Sequence, residues 1–109
     1  MFHPPIETVR LEAILHALSD PVRVQIFSEI AGAECPLTCQ AFSSVNDHAI
    51  PKSTLSQHFK VLREAGLVRS ERQGVEMLNT SRCTEIDGRF PGLVAAIINA
   101  HVIGANRAA

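Results

Sequence analysis

The sequence predicts a mainly helical fold that carries a single β-hairpin. Three observations support this class: apolar residues recur at helical spacing in five segments, Gly or Pro separates most of these segments, and one later stretch changes to the two-residue period of a strand. The chain has 109 residues, which suits one compact domain. We therefore expect residues 1–109 to form a single domain.

The sequence "SDP" separates the first two predicted helices, and Pro21 marks the start of the second because proline fits a first helical turn without losing a hydrogen bond. The first helix covers about residues 7–18, where leucine and isoleucine residues fall on one face. Ser19 or Asp20 can cap the second helix, which is predicted over residues 21–31 and is followed by a glycine.

Two further helices are predicted before the hairpin. A short third helix is expected over residues 37–42, and the Ser, Asn, Asp and Pro content of residues 43–51 indicates a loop. The fourth helix covers about residues 51–65 and ends at Gly66. Its apolar stripe consists of Leu55, Phe59, Leu62 and Ala65.

The strand-like segment covers about residues 67–81 and turns at Gln73-Gly74. A last helix, rich in Ile and Val, is predicted over about residues 87–104. A short helix and a longer one in tandem, directly before a β-ribbon, are the order of elements in a winged helix-turn-helix. In that fold the second helix of the pair enters the major groove of DNA, and the hairpin, called the wing, reaches the neighbouring backbone.

The fourth predicted helix has a polar start that a core does not require. We call its five adjacent outward side chains the polar front: Ser53, Thr54, Ser56, Gln57 and His58. Serine and threonine can bond bases or phosphates, and glutamine can pair with adenine. Capping of the helix would account for one hydroxyl but not for five polar groups, so we predict that the polar front contacts DNA.

The net charge of −1 conceals an uneven distribution along the chain. Residues 1–50 hold two basic and six acidic side chains, a net charge of −4, whereas residues 51–82 hold six basic and three acidic ones, a net charge of +3. A basic segment that includes the fourth helix and the wing is what a phosphate-binding face requires, although a solvated helix face would also be charged.

Two motifs give the chain a specific resemblance. The stretches "ALSDPVRVQIFSEI" (residues 17–30) and "STLSQHFKVLREAGLVRSERQGVEMLNTS" (residues 53–81) resemble the ArsR/SmtB family of small bacterial winged-helix repressors. The resemblance implies a homodimer, held by the first and last helices, that binds an inverted-repeat operator in double-stranded DNA and represses transcription. The apolar faces of those two helices suit such an interface.

The resemblance also assigns individual DNA contacts. The polar front corresponds to the part of the family's recognition helix that reads bases and contacts phosphates, with Lys52 and Lys60 supporting it on the backbone. On the wing, Arg69, Arg72 and Gln73 are the predicted contacts, because a cation near the turn can border or enter the minor groove.

The resemblance weakens at the sensing sites of the family. Many members carry a Cys-x-Cys pair at the start of the third helix or Asp, His and Glu ligands on the last helix, whereas here Cys35 and Cys39 are four residues apart and His101 lacks a partner at the expected spacing. With Cys83, these thiols are candidates for a metal or metalloid site, for a redox switch, or for simple packing. A repressor that releases DNA when its thiols are oxidised or bind a metal or metalloid is therefore an alternative. The leading expectation is that the protein holds no cofactor.

Other classes of function find less support. No Ser-His-acid set, glycine-rich phosphate loop or paired carboxylates stand out, so we predict that the protein is not an enzyme. A winged helix that binds proteins rather than DNA would share the fold but would not need the basic segment. The chain contains no apolar run long enough to span a membrane and no secretory signal, and its odd number of cysteines suits a reducing compartment, so we expect a cytoplasmic protein.

Overall fold

A computed structural model describes residues 2–108, with side chains up to residue 104. The five α-helices are α1 (Leu11–Ala17), α2 (Pro21–Gly32), α3 (Lys52–Glu64), α4 (Cys83–Arg89) and α5 (Leu93–Ala108). The strands are β1 (Leu37–Thr38), β2 (Ser44–Val45), β3 (His48–Ala49), β4 (Val68–Gln73) and β5 (Glu76–Ser81). Short 3-10 helices cover Ile6–Thr8 and Cys39–Phe42. The predicted class, helices with a β-hairpin wing, is confirmed.

The third predicted helix does not form as an α-helix. Residues 37 and 38 are instead strand β1, and the four residues that follow make a 3-10 turn. Leu37 is opposite Asn79 and Thr38 is opposite Leu78, so β1 is an edge strand in an antiparallel sheet of order β1-β5-β4. A six-residue helix forms too few hydrogen bonds to offset the free-energy cost of its nucleation. The backbone of residues 37 and 38 forms hydrogen bonds with β5 instead.

The predicted loop over residues 43–51 contains a small hairpin. Strands β2 and β3 pair through Ser44 with Ala49 and Val45 with His48. Asn46 and Asp47 both have positive φ, 52° and 64°, as a two-residue turn of type I′ demands. Asn and Asp tolerate the left-handed region, so the Asn-Asp pair is a sequence signal from which this hairpin could have been predicted in place of a loop.

The last predicted helix is divided. It begins earlier than predicted, as α4 at Cys83, and breaks between Arg89 and Leu93 before α5 continues to Ala108. Gly92 at the break has a φ of 80°, and its N–H donates to the Asp87 carboxylate across 2.9 Å. Pro91 cannot donate a backbone hydrogen bond, so the helix is interrupted here before α5 begins at Leu93.

The core lies between α2, α3 and the sheet. Phe27, Phe59, Leu62 and Leu67 are essentially inaccessible to solvent, and the ring centroids of Phe42 and Phe59 are 5.8 Å apart. The inward stripe predicted for the fourth helix is confirmed in α3, because Leu55, Phe59 and Leu62 are all buried. Burial of this stripe fixes which residues of α3 face outward.

An N-terminal segment, residues 2–9, packs across the wing and α4. His3 accepts a hydrogen bond from the backbone N–H of Ser70 in β4, at 2.9 Å, and Arg82 donates to the carbonyl of Pro4 at 2.8 Å. Arg89 donates to the carbonyls of Ile6 and Val9. The segment thus connects the wing to the helix that follows it.

Candidate nucleic-acid interface

The polar front lies on the outer side of α3. Ser53, Thr54, Ser56 and Gln57 are exposed, while Leu55 between them points into the core. Pro51 occupies the N-cap position of α3, and no side chain accepts a capping hydrogen bond there. Among the described residues, the hydroxyls of this front make no hydrogen bond to the protein, so helix capping does not explain their presence.

His58 differs from the rest of the polar front because it is half-buried. Its Nδ1 lies 3.4 Å from Nη1 of Arg23, a residue of α2. Arginine can only donate, so the Nδ1 of His58 acts as the acceptor, and its Nε2 then carries the proton of the neutral ring. Arg23 is a residue that sequence reasoning missed, because the contact joins positions 35 residues apart.

Arg23 also ties the end of α1 to the start of α2. Its Nε donates to the carbonyl of Ala17 at 2.7 Å, and the Asp20 carboxylate lies 3.9 Å from its Nη1. Asp20 caps α2 by accepting from the backbone N–H groups of Val22 and Arg23, at 2.8 and 3.1 Å. Burial raises the pKa of Asp20, but these hydrogen bonds and the nearby guanidinium outweigh it and leave the pKa below its usual value.

The two predicted arginines of the wing lie in different surroundings. Arg69, at the base of β4, is 3.6 Å from the Glu85 carboxylate of α4. The buried Arg82 bonds the same carboxylate at 2.9 and 3.2 Å, and this bond is the main cause of the lowered pKa of Glu85. Arg72 and Gln73 are exposed near the turn, and Arg72 forms no ion pair with any described residue.

The turn of the wing lies one residue later than the predicted Gln73-Gly74. Gln73 is opposite Glu76, so Gly74 and Val75 form the two-residue connection, and Gly74 has a φ of 63°. The Val75 side chain is 95% exposed. Exposed lysines at both ends of the polar front, Lys52 and Lys60, place positive charge beside it, whereas the wing is neutral in sum because Glu71 and Glu76 balance its two arginines.

Comparison with known proteins agrees with this fold. A family model described as a helix-turn-helix domain matches residues 18–71, from the end of α1 into β4. The HTH-type transcriptional repressor SmtB of Mycobacterium tuberculosis is 35% identical over 65 residues, which are 60% of this chain and 45% of that protein. The chain belongs to the ArsR/SmtB family. It spans less than half the length of this curated relative.

Three solved structures share the fold. M. tuberculosis Rv0081 is 26% identical, with a TM-score of 0.62 over 97% of this chain and 99% of that one. Reduced HlyU from Vibrio cholerae is 27% identical, with a TM-score of 0.59 over 72% and 78% of the two chains. An ArsR-like regulator from Rhodococcus sp. RHA1, at 20% identity, has a TM-score of 0.59 over 91% and 92%.

The cysteines that could sense a signal in this ArsR/SmtB member lie in separate surroundings. Cys35 is exposed, whereas Cys39 and Cys83 are half-buried. The Asn79 amide donates to the Cys39 sulfur at 3.4 Å, and Cys83 lines a cavity between α4 and α5. Within the described part of the chain, no three His, Cys, Asp or Glu side chains are grouped as metal ligands, so the three thiols do not form a trigonal site there.

His101, the candidate ligand of the last helix, has a structural partner. Its Nε2 lies 2.8 Å from the amide oxygen of Gln25 in α2, a contact that joins α5 to the core. The residues present therefore do not fit the family's last-helix metal site within the described chain. No helix in residues 2–108 has both the length and the apolar character to cross a bilayer.

Proposed function

We propose that the protein is a cytoplasmic, homodimeric transcriptional repressor that binds an inverted-repeat operator. The observation that carries the proposal is the exposed polar front, whose hydroxyl and amide groups have no partner among the described residues and lie between the exposed lysines Lys52 and Lys60. Exposed polar groups at the start of a helix beside a wing are suited to the major groove, whereas a purely structural helix would gain little from them.

The residues of this face have different roles in the proposal. Gln57, central and exposed on α3, reads a base, with Ser53, Thr54 and Ser56 bonding bases or phosphates. Lys52, Lys60 and Arg72 bind phosphates. Gln73, at the end of β4 beside the wing turn, contacts the minor groove. His58 contributes its Nε2–H, while Arg23 fixes the ring from behind.

The dimer in the proposal uses α1 and α5. Leu11 and Leu15 on α1 and Val102 and Ile103 on α5 are large apolar side chains that remain between 38% and 52% exposed. Exposed apolar side chains that are grouped on two helices are more typical of a protein interface than single ones spread over the surface. A two-fold symmetric pair would present two copies of α3 to successive half-sites one helical turn apart.

Relatives in this family are transcriptional regulators, and we propose no catalytic activity for the chain. The alternative of a thiol-responsive derepressor stays a prediction, since the three cysteines have separate surroundings. It is tested by comparing DNA affinity with and without oxidant, Zn(II) and As(III), in the wild type and in a triple Cys→Ser variant.

The main experiment is a fluorescence-anisotropy titration of the DNA upstream of the protein's own gene at several salt concentrations. We expect affinity to fall steeply with salt, because phosphate contacts release counterions. Gln57→Ala should cost about 1–3 kcal/mol on the preferred sequence and little on random DNA, whereas Lys60→Ala should weaken both. The control is Arg10→Ala, which removes an exposed cation before α1. Salt-independent binding, or full affinity in both α3 variants, would contradict the proposal.

A further inference from the structure

A cavity between the 3-10 turn and α3 has the properties of a small-molecule site. It has a volume of about 320 Å³, and its apolar walls come from Cys39, Ile50, Leu55 and Phe59. Ligand pockets in proteins begin at roughly 300 Å³ and are mostly apolar with a few placed polar groups. We propose that this cavity binds a small carboxylic acid with an apolar body.

The preference for an acid follows from the charges at the cavity. Lys52 is the one charged side chain among the lining residues. The uncharged polar lining residues are Gln40, Ser43 and Ser56. No acidic side chain of residues 2–104 lies within 4.0 Å of the Lys52 ammonium group. A carboxylate at the rim would give this lysine a charge-assisted hydrogen bond, which is stronger than one to a neutral amide.

The small β2–β3 hairpin builds one wall of this cavity. Ile50, which follows β3, lines it, and the N–H of Ile50 donates to the carbonyl of Ser43 at 2.8 Å. Val45 in β2 is buried, so the hairpin is anchored to the core. The apolar walls are therefore held by elements with defined packing, and the site is largely pre-formed, which limits the entropy lost on binding.

The position of the cavity couples it to the polar front. Lys52 and Ser56 line it and also belong to the proposed DNA-binding face. A bound acid would engage Lys52 and so remove a phosphate contact, and by linkage DNA would weaken binding of the acid by the same factor. This coupling rests on the proposed function, whereas binding of the acid does not.

Binding is tested without DNA, by isothermal titration calorimetry of the whole protein with 4-phenylbutyrate and its neutral amide, 4-phenylbutyramide. We expect the acid to bind at least about tenfold more tightly than the amide, a difference of one charge-assisted bond. In Lys52→Gln the two ligands should bind equally. Equal affinity for both ligands in the wild type, or no heat of binding at millimolar acid, would overturn the site.

Two serines next to each other provide a matched pair of variants. Both serines are exposed, but Ser43 lines the cavity and Ser44 does not. Ser43→Phe should fill the space and abolish binding of 4-phenylbutyrate, while Ser44→Phe should bind as the wild type does. Circular dichroism establishes that both variants are folded. Unchanged binding in folded Ser43→Phe would place the ligand elsewhere and overturn the assignment.

Cys39 gives a second readout that does not depend on calorimetry. In a Cys35→Ser, Cys83→Ser variant it is the remaining cysteine, and it lies in the cavity wall. With 4-phenylbutyrate at ten times its Kd, alkylation of Cys39 by N-ethylmaleimide should slow about tenfold, as mass action requires for a shielded thiol. An unchanged rate would overturn the site, even where calorimetry detects binding.

The coupling has its own test in the anisotropy assay. Adding 4-phenylbutyrate should raise the apparent Kd for DNA, and 4-phenylbutyramide should do so much less. Acid that binds without changing DNA affinity would overturn the coupling and leave the site intact. A protein that binds the acid but no DNA would instead overturn the proposed function.

Discussion

The Nη1 atom of Arg23 in α2 lies 3.4 Å from Nδ1 of His58 in α3. The same guanidinium bonds the carbonyl of Ala17 and faces Asp20, so one side chain links the end of α1, the cap of α2 and the polar front. With only 13% of its side chain exposed, Arg23 is a structural cation rather than a DNA contact.

Replacing Arg23 should therefore affect stability and DNA binding together. Arg23→Ala removes hydrogen bonds from a charged group and should lower the free energy of unfolding by roughly 1.5–3 kcal/mol. It should also lower DNA affinity, because His58 loses the group that orients its ring. The measurements are urea unfolding and DNA anisotropy. Arg10→Ala, whose exposed ion pair with Glu12 is worth little, should change either by less than about 0.5 kcal/mol.

The wing arginines should differ in their contribution to the salt dependence of DNA binding. Arg72 is exposed and has no ion pair among the described residues, so Arg72→Ala should reduce the slope of log K against log[salt] by about 1. Arg69 would have to leave Glu85 to reach a phosphate, so Arg69→Ala should change the slope less. A larger effect for Arg69 than for Arg72 would contradict this reading of the wing.

His3 should make stability depend on pH. Burial, assisted by the charges of Arg69 and Arg82, lowers the pKa of His3 from its usual 6.5, and its Nε2 must stay unprotonated to accept from Ser70. Because the folded pKa is the lower one, the unfolded chain binds more protons as the pH falls. The stabilisation is complete above 6.5 and is lost as the pH falls from 6.5 toward the folded pKa.

The measurement is the urea midpoint at about pH 7.5 and about pH 5.5, a range in which histidines titrate and most carboxylates do not. His3→Gln keeps an acceptor oxygen but does not titrate, so its midpoint should fall less than that of the wild type. The control is His48→Gln, at an exposed position in β3, which should behave as the wild type does. An equal fall in all three proteins would exclude His3 as the source.

The features that were predicted correctly from the sequence are those determined by residues close together along the chain. The stripe of Leu55, Phe59 and Leu62 repeats every three or four residues, so the outward position of the polar front followed from local spacing. The failures involve distant partners. Residues 37 and 38 became a strand because β5 offers Leu78 and Asn79, about forty positions later.

The candidate site shows the same division. Exposure of Gln57 and Lys60 was predictable, whereas the burial of His58 against Arg23 was not, since nothing in the local sequence links α2 to that ring. The links from His3 to Ser70 and from Arg82 to Pro4 span 67 and 78 positions and have no periodic signature. Only packing of the whole chain creates such contacts.

Two glycines with positive φ should respond differently to alanine. At Gly66, with a φ of 82°, a Cβ atom would collide with the Val9 side chain, whereas at Gly74, with a φ of 63°, it would meet nothing within 4 Å. Gly74→Ala should cost about 1–2 kcal/mol from backbone conformation alone. Gly66→Ala adds overpacking of roughly 1–3 kcal/mol, and it should also loosen the N-terminal segment. Urea unfolding of both variants measures the difference.

The proposed dimer can be tested on an exposed leucine of α1. Leu15 is 47% exposed, and in a dimer held by α1 and α5 an aspartate there would place an unpaired charge in an apolar interface. Leu15→Asp should shift the protein from dimer to monomer in sedimentation-velocity experiments and raise the Kd for a two-half-site operator. Val75→Asp is the matched control, because Val75 is more exposed still but lies alone at the wing turn, and it should stay dimeric. A monomeric wild type, or a dimer unaffected by Leu15→Asp, would contradict this interface.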